Sequence, residues 1–320
     1  MGQGTSKHLR RDAEPPKSQG VRPAVAAPAP SASTTDSQVF APLPASAPTP
    51  APGVAPHSAR SARNVASTVL IVVGVVMLLV AAGLWGFNQW RYHEVDVEQQ
   101  KLAAYATVWD QPSRAPEVDW AGLKAINDEV VGWLYVPGTT INYAVYQADD
   151  NERYLRHSAE GNYLLSGQLF LDYQNAAPGM TDAQSIIYGH HLLNGTMFEQ
   201  IAALDDQAAF DRTDTVWYVT EQGAYELEPL LMYYARADDQ TVRTFSFASD
   251  DERRAYLQGL LDKAVTKRPD AAQVVQGASH VLSLVTCNYY KEYYTEDGTN
   301  GRSVLVCVPK DEAVVSAPSD

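Results

Sequence analysis

From Val65 to Phe87 the chain runs without one charged side chain, as Val-Ala-Ser-Thr-Val-Leu-Ile-Val-Val-Gly-Val-Val-Met-Leu-Leu-Val-Ala-Ala-Gly-Leu-Trp-Gly-Phe. As an α-helix rising about 1.5 Å per residue, this run is long enough to cross a hydrocarbon core of roughly 30 Å. A buried helix of a soluble domain normally carries a polar stripe, and none interrupts this run. A cleaved secretory signal also has an apolar core and small residues near its end, as at Ala81-Ala82-Gly83. Such cores usually span about 7 to 15 residues close to the N-terminus. This run is longer and follows a long polar tail, so residues 65–87 are expected to be an uncleaved transmembrane helix.

The flanks orient it. Residues 1–64 are dominated by Ala, Pro and Ser with few large apolar side chains, so they cannot bury enough surface to offset ordering entropy and are expected to be disordered. That tail holds Lys7, Arg10, Arg11, Lys17, Arg22, Arg60 and Arg63 against Asp12, Glu14 and Asp36, a net charge of +4. With −14 overall, the rest of the chain carries −18. Arg60 and Arg63 directly precede the run, as expected of a cytoplasmic end, and Arg91 beyond it is a weaker opposing signal. The reading is a single-pass membrane protein with its N-terminus cytoplasmic and its large C-terminal part extracellular. An outer part this acidic excludes nucleic acid as a partner, since phosphate backbones need basic patches.

Residues 88–130 are polar with scattered aromatic positions, broken at Pro112 and Pro116, which predicts a stalk helix, a break and a short helix over Trp120–Asp128. Thereafter short β-rich runs alternate with turns: Trp133–Val136, Ile141–Tyr146, Gln168–Asp172, Ser185–Tyr188, Thr215–Thr220, Tyr225–Ala235, Val281–Thr286 and Ser303–Val308. Eight short strands predict a mainly β fold, a closed barrel or sandwich, over residues 131–310. A helix is predicted over Thr196–Leu204, and another within residues 246–276, where Ala255, Leu257, Leu260, Leu261 and Val265 make an apolar face. Residues 311–320 are expected to fray.

Chemistry-bearing residues fall at strand ends. Cys287 ends Ser283-Leu-Val-Thr-Cys287, Arg302 opens Ser303-Val-Leu-Val-Cys307-Val, and Tyr188-Gly189-His190 follows a third strand. Thiol, imidazole and guanidinium are the parts of a cysteine acyl-transfer site. If the last two strands pair in antiparallel fashion, Cys307 lies about five residues, or on the order of 17 Å, from Cys287, too far for a disulfide. Cys287 is then a free thiol, and Cys307 faces the side opposite Arg302 as inert packing. A papain-like hydrolase would place its cysteine before its histidine and at a helix start, the reverse of this order. No Cys/His cluster has metal-ligand spacing, so neither metal nor cofactor is expected.

Beyond these residues the chain resembles the sortases, and among them class B. Ser283-Leu-Val-Thr-Cys287 is similar to the signature Thr-Leu-x-Thr-Cys, with Ser for the first Thr. Ser185-Ile-Ile-Tyr-Gly-His190-His-Leu-Leu-Asn-Gly-Thr-Met-Phe198 and Asn300-Gly-Arg302-Ser-Val-Leu-Val resemble the family's histidine and final-strand segments. So do the blocks from Gly132 to Gln147, Asp150 to His157 and Gly161 to Asp172, so that the likeness covers residues 95–310. The resemblance implies an eight-stranded sortase-type barrel with N-terminal helices and a helix in the long connection before the Cys287 strand. It implies Cys287 as nucleophile, His190 as catalytic imidazole, Arg302 as oxyanion stabiliser, and Ser283 and Thr286 as substrate-contacting residues. His191 is then a solvent-facing loop residue and His157 a structural one. The implied reaction is cleavage of a C-terminal sorting signal after Thr through a thioester, then transfer to an amine of the peptidoglycan cross-bridge or its lipid-linked precursor. The connection before the Cys287 strand, with its helix, is expected to form one wall of the substrate groove. A pilin-polymerising enzyme and a non-catalytic surface-binding barrel are the alternatives.

Overall fold

The computed structural model describes residues 59 to 313. Most of the tail expected over residues 1–64 lies outside the described residues, as does the end of the chain from residue 314.

Helix α1 (Ala59–Ala103) runs unbroken through the apolar segment and the stalk, because no proline occurs between Pro56 and Pro112. Its side chains are exposed from Val65 to Trp90. Val95, Gln99 and Leu102, spaced for one helix face, are then buried against the rest of the chain. After it, β1 (Ala106–Thr107) pairs with β2 (Glu117–Val118), and α2 (Trp120–Ile126) starts where the Asp119 carboxylate accepts from the Gly122 N–H.

The strands that follow are β3 (Val130–Tyr135), β4 (Asn142–Tyr146), β5 (Leu169–Leu171), β6 (Gln184–Tyr188), β7 (Val216–Thr220) and β8 (Gly223–Ala235), then β9 (Ala264–Lys267), β10 (Val281–Cys287) and β11 (Arg302–Pro309). Their order is β11-β10-β6-β5-β4-β3-β7-β8, and β8 pairs back onto β11, so eight strands close into a barrel. The pairs β4–β5 and β6–β10 are parallel. Short helices α3 (Arg153–Arg156), α4 (Glu199–Ala202) and α5 (Gln207–Phe210) lie in the connections, and α6 (Asp250–Asp262) and α7 (Ala271–Gly277) precede β10.

Alternation along the strands sorts side chains by face. Leu282 and Leu284 of β10 and Leu305 and Cys307 of β11 join Leu134, Val145, Leu171 and Ile187 in one core, which Val95 of α1 also enters. On the opposite face, Val281, Val285, Val304 and Val306 pack with Leu257, Leu260 and Leu261 of α6 and Val274 and Val275 of α7. Each such aliphatic side chain contributes about 1.5 to 3 kcal/mol on burial. A third cluster joins Trp133, Tyr146 and Phe170 to Leu102 and Leu123.

Two expectations shift. The helical stretch predicted through Val265 ends at Asp262, and Ala264–Lys267 forms β9 along the outer edge of β8. Val265 is exposed there and Ala255 is exposed on α6, so the helix face is Leu257, Leu260 and Leu261 with Arg253. The helix expected over Thr196–Leu204 is regular only in Glu199–Ala202, followed by a tighter turn over Ala203–Asp205. Met197, with φ of 57°, falls outside it.

Candidate active site

Strands β6 and β10 run parallel, so Gly189-His190 and Cys287 emerge at the same end of the barrel. Arg302 is directly opposite Cys287 in the antiparallel β10–β11 register, and both point to the face that carries Val285 and Val304. An Arg302 Nη1 N–H donates to Cys287 Sγ at 3.7 Å. The same nitrogen donates to the carbonyls of Asn300 at 2.6 Å and Gly301 at 3.1 Å, so the turn before β11 aims the guanidinium. Asn288 holds that turn, its Nδ2 donating to the Arg302 carbonyl and its N–H to the Gly301 carbonyl.

His190 lines the same groove, a cavity of about 250 Å³ bounded also by Asn151, Leu155, Tyr188, Arg243 and Thr286. Its Nε2 lies 2.8 Å from the Leu155 carbonyl oxygen. Burial pushes its pKa below the usual histidine value; the Leu155 carbonyl opposes that shift, while Arg156 and Arg302 add to it. A carbonyl can only accept, so Nε2 carries a proton toward Leu155, and the lowered pKa favours the neutral ring, with Nδ1 as its proton acceptor. Gly189 permits this path: a Cβ there would come within 2.5 Å of Leu169 and 2.7 Å of the Phe198 ring.

His191 faces elsewhere and is not a bare solvent-facing residue. Its Nδ1 lies 2.9 Å from the Cys287 carbonyl oxygen, its ring meets Tyr289 edge-on, and it borders a separate cavity with Asp205 and Tyr290. His157 sits 2.7 Å from the Arg153 carbonyl at the end of α3. Thr286 lines the groove, and its buried hydroxyl has no hydrogen-bond partner. Ser283 is outside the groove lining, its buried hydroxyl donating to Gln184 Oε1. Both cysteines are free; Cys307 pairs in register with Leu282 and is fully buried, which pushes its thiol well above the usual range.

The groove also holds a device that single-residue reading of the sequence overlooks. The Asp172 carboxylate is fully buried and receives Arg243 through Nε at 2.8 Å and Nη2 at 2.9 Å. It also accepts from the Tyr188 hydroxyl, Asn151 Nδ2 and the Gln174 N–H. Burial alone would raise its pKa, yet Arg243 and these donors outweigh it and hold the carboxylate below the usual range. Arg243 and Ala237 form the groove wall after β8, whereas α6, the expected wall, contributes no lining residue and packs on the outer sheet face instead.

Residues 134–310 match the family model described as the sortase domain. The chain belongs to the sortase family. Sortases are cysteine transpeptidases, and the relatives it matches are of class B. Sortase B of Listeria monocytogenes is 26% identical over 69% of this chain and 92% of its own length. The structure of sortase B from Bacillus anthracis superposes with a TM-score of 0.56 at 26% identity, covering 69% of this chain and 99% of that one. The Staphylococcus aureus sortase B–substrate complex gives 0.52 at 26% identity, covering 59% and 83%. The expected fold, eight-stranded and mainly β with a helix in the connection before the Cys287 strand, is the one observed.

Proposed function

We propose that this sortase cleaves a C-terminal sorting signal after Thr and transfers the protein to a cell-wall amine, with Cys287, His190 and Arg302 as its catalytic residues. The observation that carries the reading is the Cys287 thiol facing the Arg302 guanidinium across one strand pair, in a groove that also holds His190. The Cys287 thiol passes its proton to His190 Nδ1, the resulting thiolate adds to the carbonyl carbon, and the developing oxyanion is met by Arg302, whose charge and fixed donors suit that task. Collapse breaks the peptide bond, the departing nitrogen takes a proton from the His190 imidazolium, and a thioester remains on Sγ. An incoming amine attacks that thioester, gives a proton back to His190 Nδ1 and releases the thiolate.

Thr286 and Leu155 line the groove wall against which the peptide lies. The Staphylococcus aureus sortase B, solved as a substrate complex, supports a substrate-binding role. Helix α1 anchors the enzyme through residues 65–87, with the basic tail inside and the barrel outside. The test is mass spectrometry of residues 95–320 incubated with Leu-Pro-x-Thr-Gly and Asn-Pro-x-Thr-Gly/Asn peptides and an amine. An acyl adduct on Cys287 that the amine removes is expected; hydrolysis or transfer that persists in Cys287→Ala would overturn the assignment.

A further inference from the structure

Helix α1 does not hand the barrel to a flexible tether. It reaches the catalytic domain within one turn of the apolar run that ends at Phe87. The Arg91 guanidinium sits over the Phe87 ring at 5.8 Å and the Tyr163 ring at 5.9 Å, and its Nη2 donates to the Tyr163 hydroxyl at 2.9 Å. Tyr163 belongs to the α3–β5 connection of the barrel, yet it stands level with the last residues of the span and is 63% exposed. The same connection is pinned further along α1: the Ala159 N–H donates to Glu98, Lys101 pairs with Glu160, and Gln99 Nε2 donates to Gln168.

Heights along α1 follow from the helical rise. Arg91 lies about 6 Å beyond Phe87, within the roughly 5 to 8 Å of headgroup layer that covers each face of a hydrocarbon core. Trp85, Phe87 and Trp90 are exposed around that level, the composition of an aromatic belt at a membrane interface. One end of the groove is thereby tied to the first turn of α1 past the span, since Leu155 of α3 precedes the connection that carries Tyr163.

We propose that the α3–β5 connection rests on the outer membrane interface through Tyr163, with Trp90 and Arg91 beside it, and holds the catalytic groove at headgroup level. The occupant of this exposed aromatic patch is the lipid bilayer, because a rigid helix continuous with the span leaves it nowhere else to sit. The inference rests on reading α1 as the membrane anchor, and the test separates the two.

The full chain carrying Cys287→Ser and Cys307→Ala receives one new cysteine and an environment-sensitive fluorophore, and is reconstituted in phosphatidylcholine vesicles, where charge attraction plays no part. Positions are Tyr163→Cys, Asn162→Cys, which keeps Tyr163 in place, Gly83→Cys inside the span, and Glu221→Cys. Glu221 pairs with Lys124 of α2, whose neighbour Leu123 shares a core cluster with Leu102, about 22 Å beyond Phe87 along α1. Lipid spin-labelled at its headgroup should quench fluorophores at 162 and 163 at least about threefold more than at 221, and acyl-chain labels should quench position 83. Quenching at 162 and 163 no greater than at 221, with 83 quenched, overturns the proposal and leaves the anchor intact. No quenching at 83 overturns the anchor and the proposal together.

Discussion

The buried Asp172–Arg243 pair offers the most demanding test of the site's construction, because the two partners differ in burial. The Asp172 side chain is 0% exposed and that of Arg243 29%. In Arg243→Met the carboxylate cannot reach water and keeps only Tyr188, Asn151 and the Gln174 N–H. Breaking a buried pair from one side costs about 3 to 5 kcal/mol, and the three remaining donors bring the expected loss to about 3 kcal/mol at pH 7. The sign with pH follows from the protonation states. In the native protein the Asp172 pKa is depressed, so its contribution is complete above the unfolded value of about 3.9 and is lost as pH falls through the folded one. In the variant, burial is no longer outweighed and the folded pKa rises above the unfolded one. The variant is therefore penalised at neutral pH, and the penalty fades as the carboxyl protonates. Urea unfolding of native and variant proteins at pH 7 and pH 4 measures the difference at each. A gap that stays constant between the two pH values, or one below about 1 kcal/mol at pH 7, would refute this account of the groove wall.

Other outcomes follow from the same geometry. Cys287→Ala, His190→Ala and Arg302→Ala should each lower peptide cleavage about a hundredfold or more, measured as kcat/KM against the native enzyme. A thiol-directed sulfonate should modify Cys287 in the folded protein and reach the fully buried Cys307 only after unfolding, as read by intact mass. The His190 ring should titrate by NMR below about 6.5, since burial disfavours its charged form. Protease added to cells stripped of their wall should digest the chain after Trp90 and spare an epitope near residue 30; the opposite pattern would reverse the topology.

Much of this arrangement is legible in the sequence because it depends on periods of two. The eight barrel strands alternate or are short apolar runs bounded by turns, and the odd separation of Arg302 and Cys307 alone sends one to the groove and the other to the core. The pairing of Cys287 with Arg302 follows from two strands that meet at a shared end. What escapes such reading has no periodic signal. Strand β9 begins two residues after α6 ends, with no Gly or Pro between them to mark the switch, and its Thr266 is buried through a hydroxyl bond to the Leu204 carbonyl, a contact set by tertiary packing. Arg243 is one arginine in a polar loop until the fold brings it to Asp172, 71 residues away. His191 and His190 are adjacent in the chain, and only the turn into α4 sends one ring into the groove and the other behind the Cys287 backbone.

Because nucleophile and guanidinium leave the chain across one rung of a β ladder, their spacing is gauged by the main chain, with the turn before β11 aiming the guanidinium. Part of the groove lining comes from elsewhere, from Asn151 and Leu155 around α3 and from Ala237 and Arg243 after β8. The wall after β8 can therefore vary without moving the rung that sets Cys287 against Arg302. Enlarging Ala237, which lines the groove outside the Asp172–Arg243 pair, should retune which peptides are accepted while Cys287 and Arg302 stay where the barrel set them, which makes this scaffold a natural candidate for redirected protein ligation.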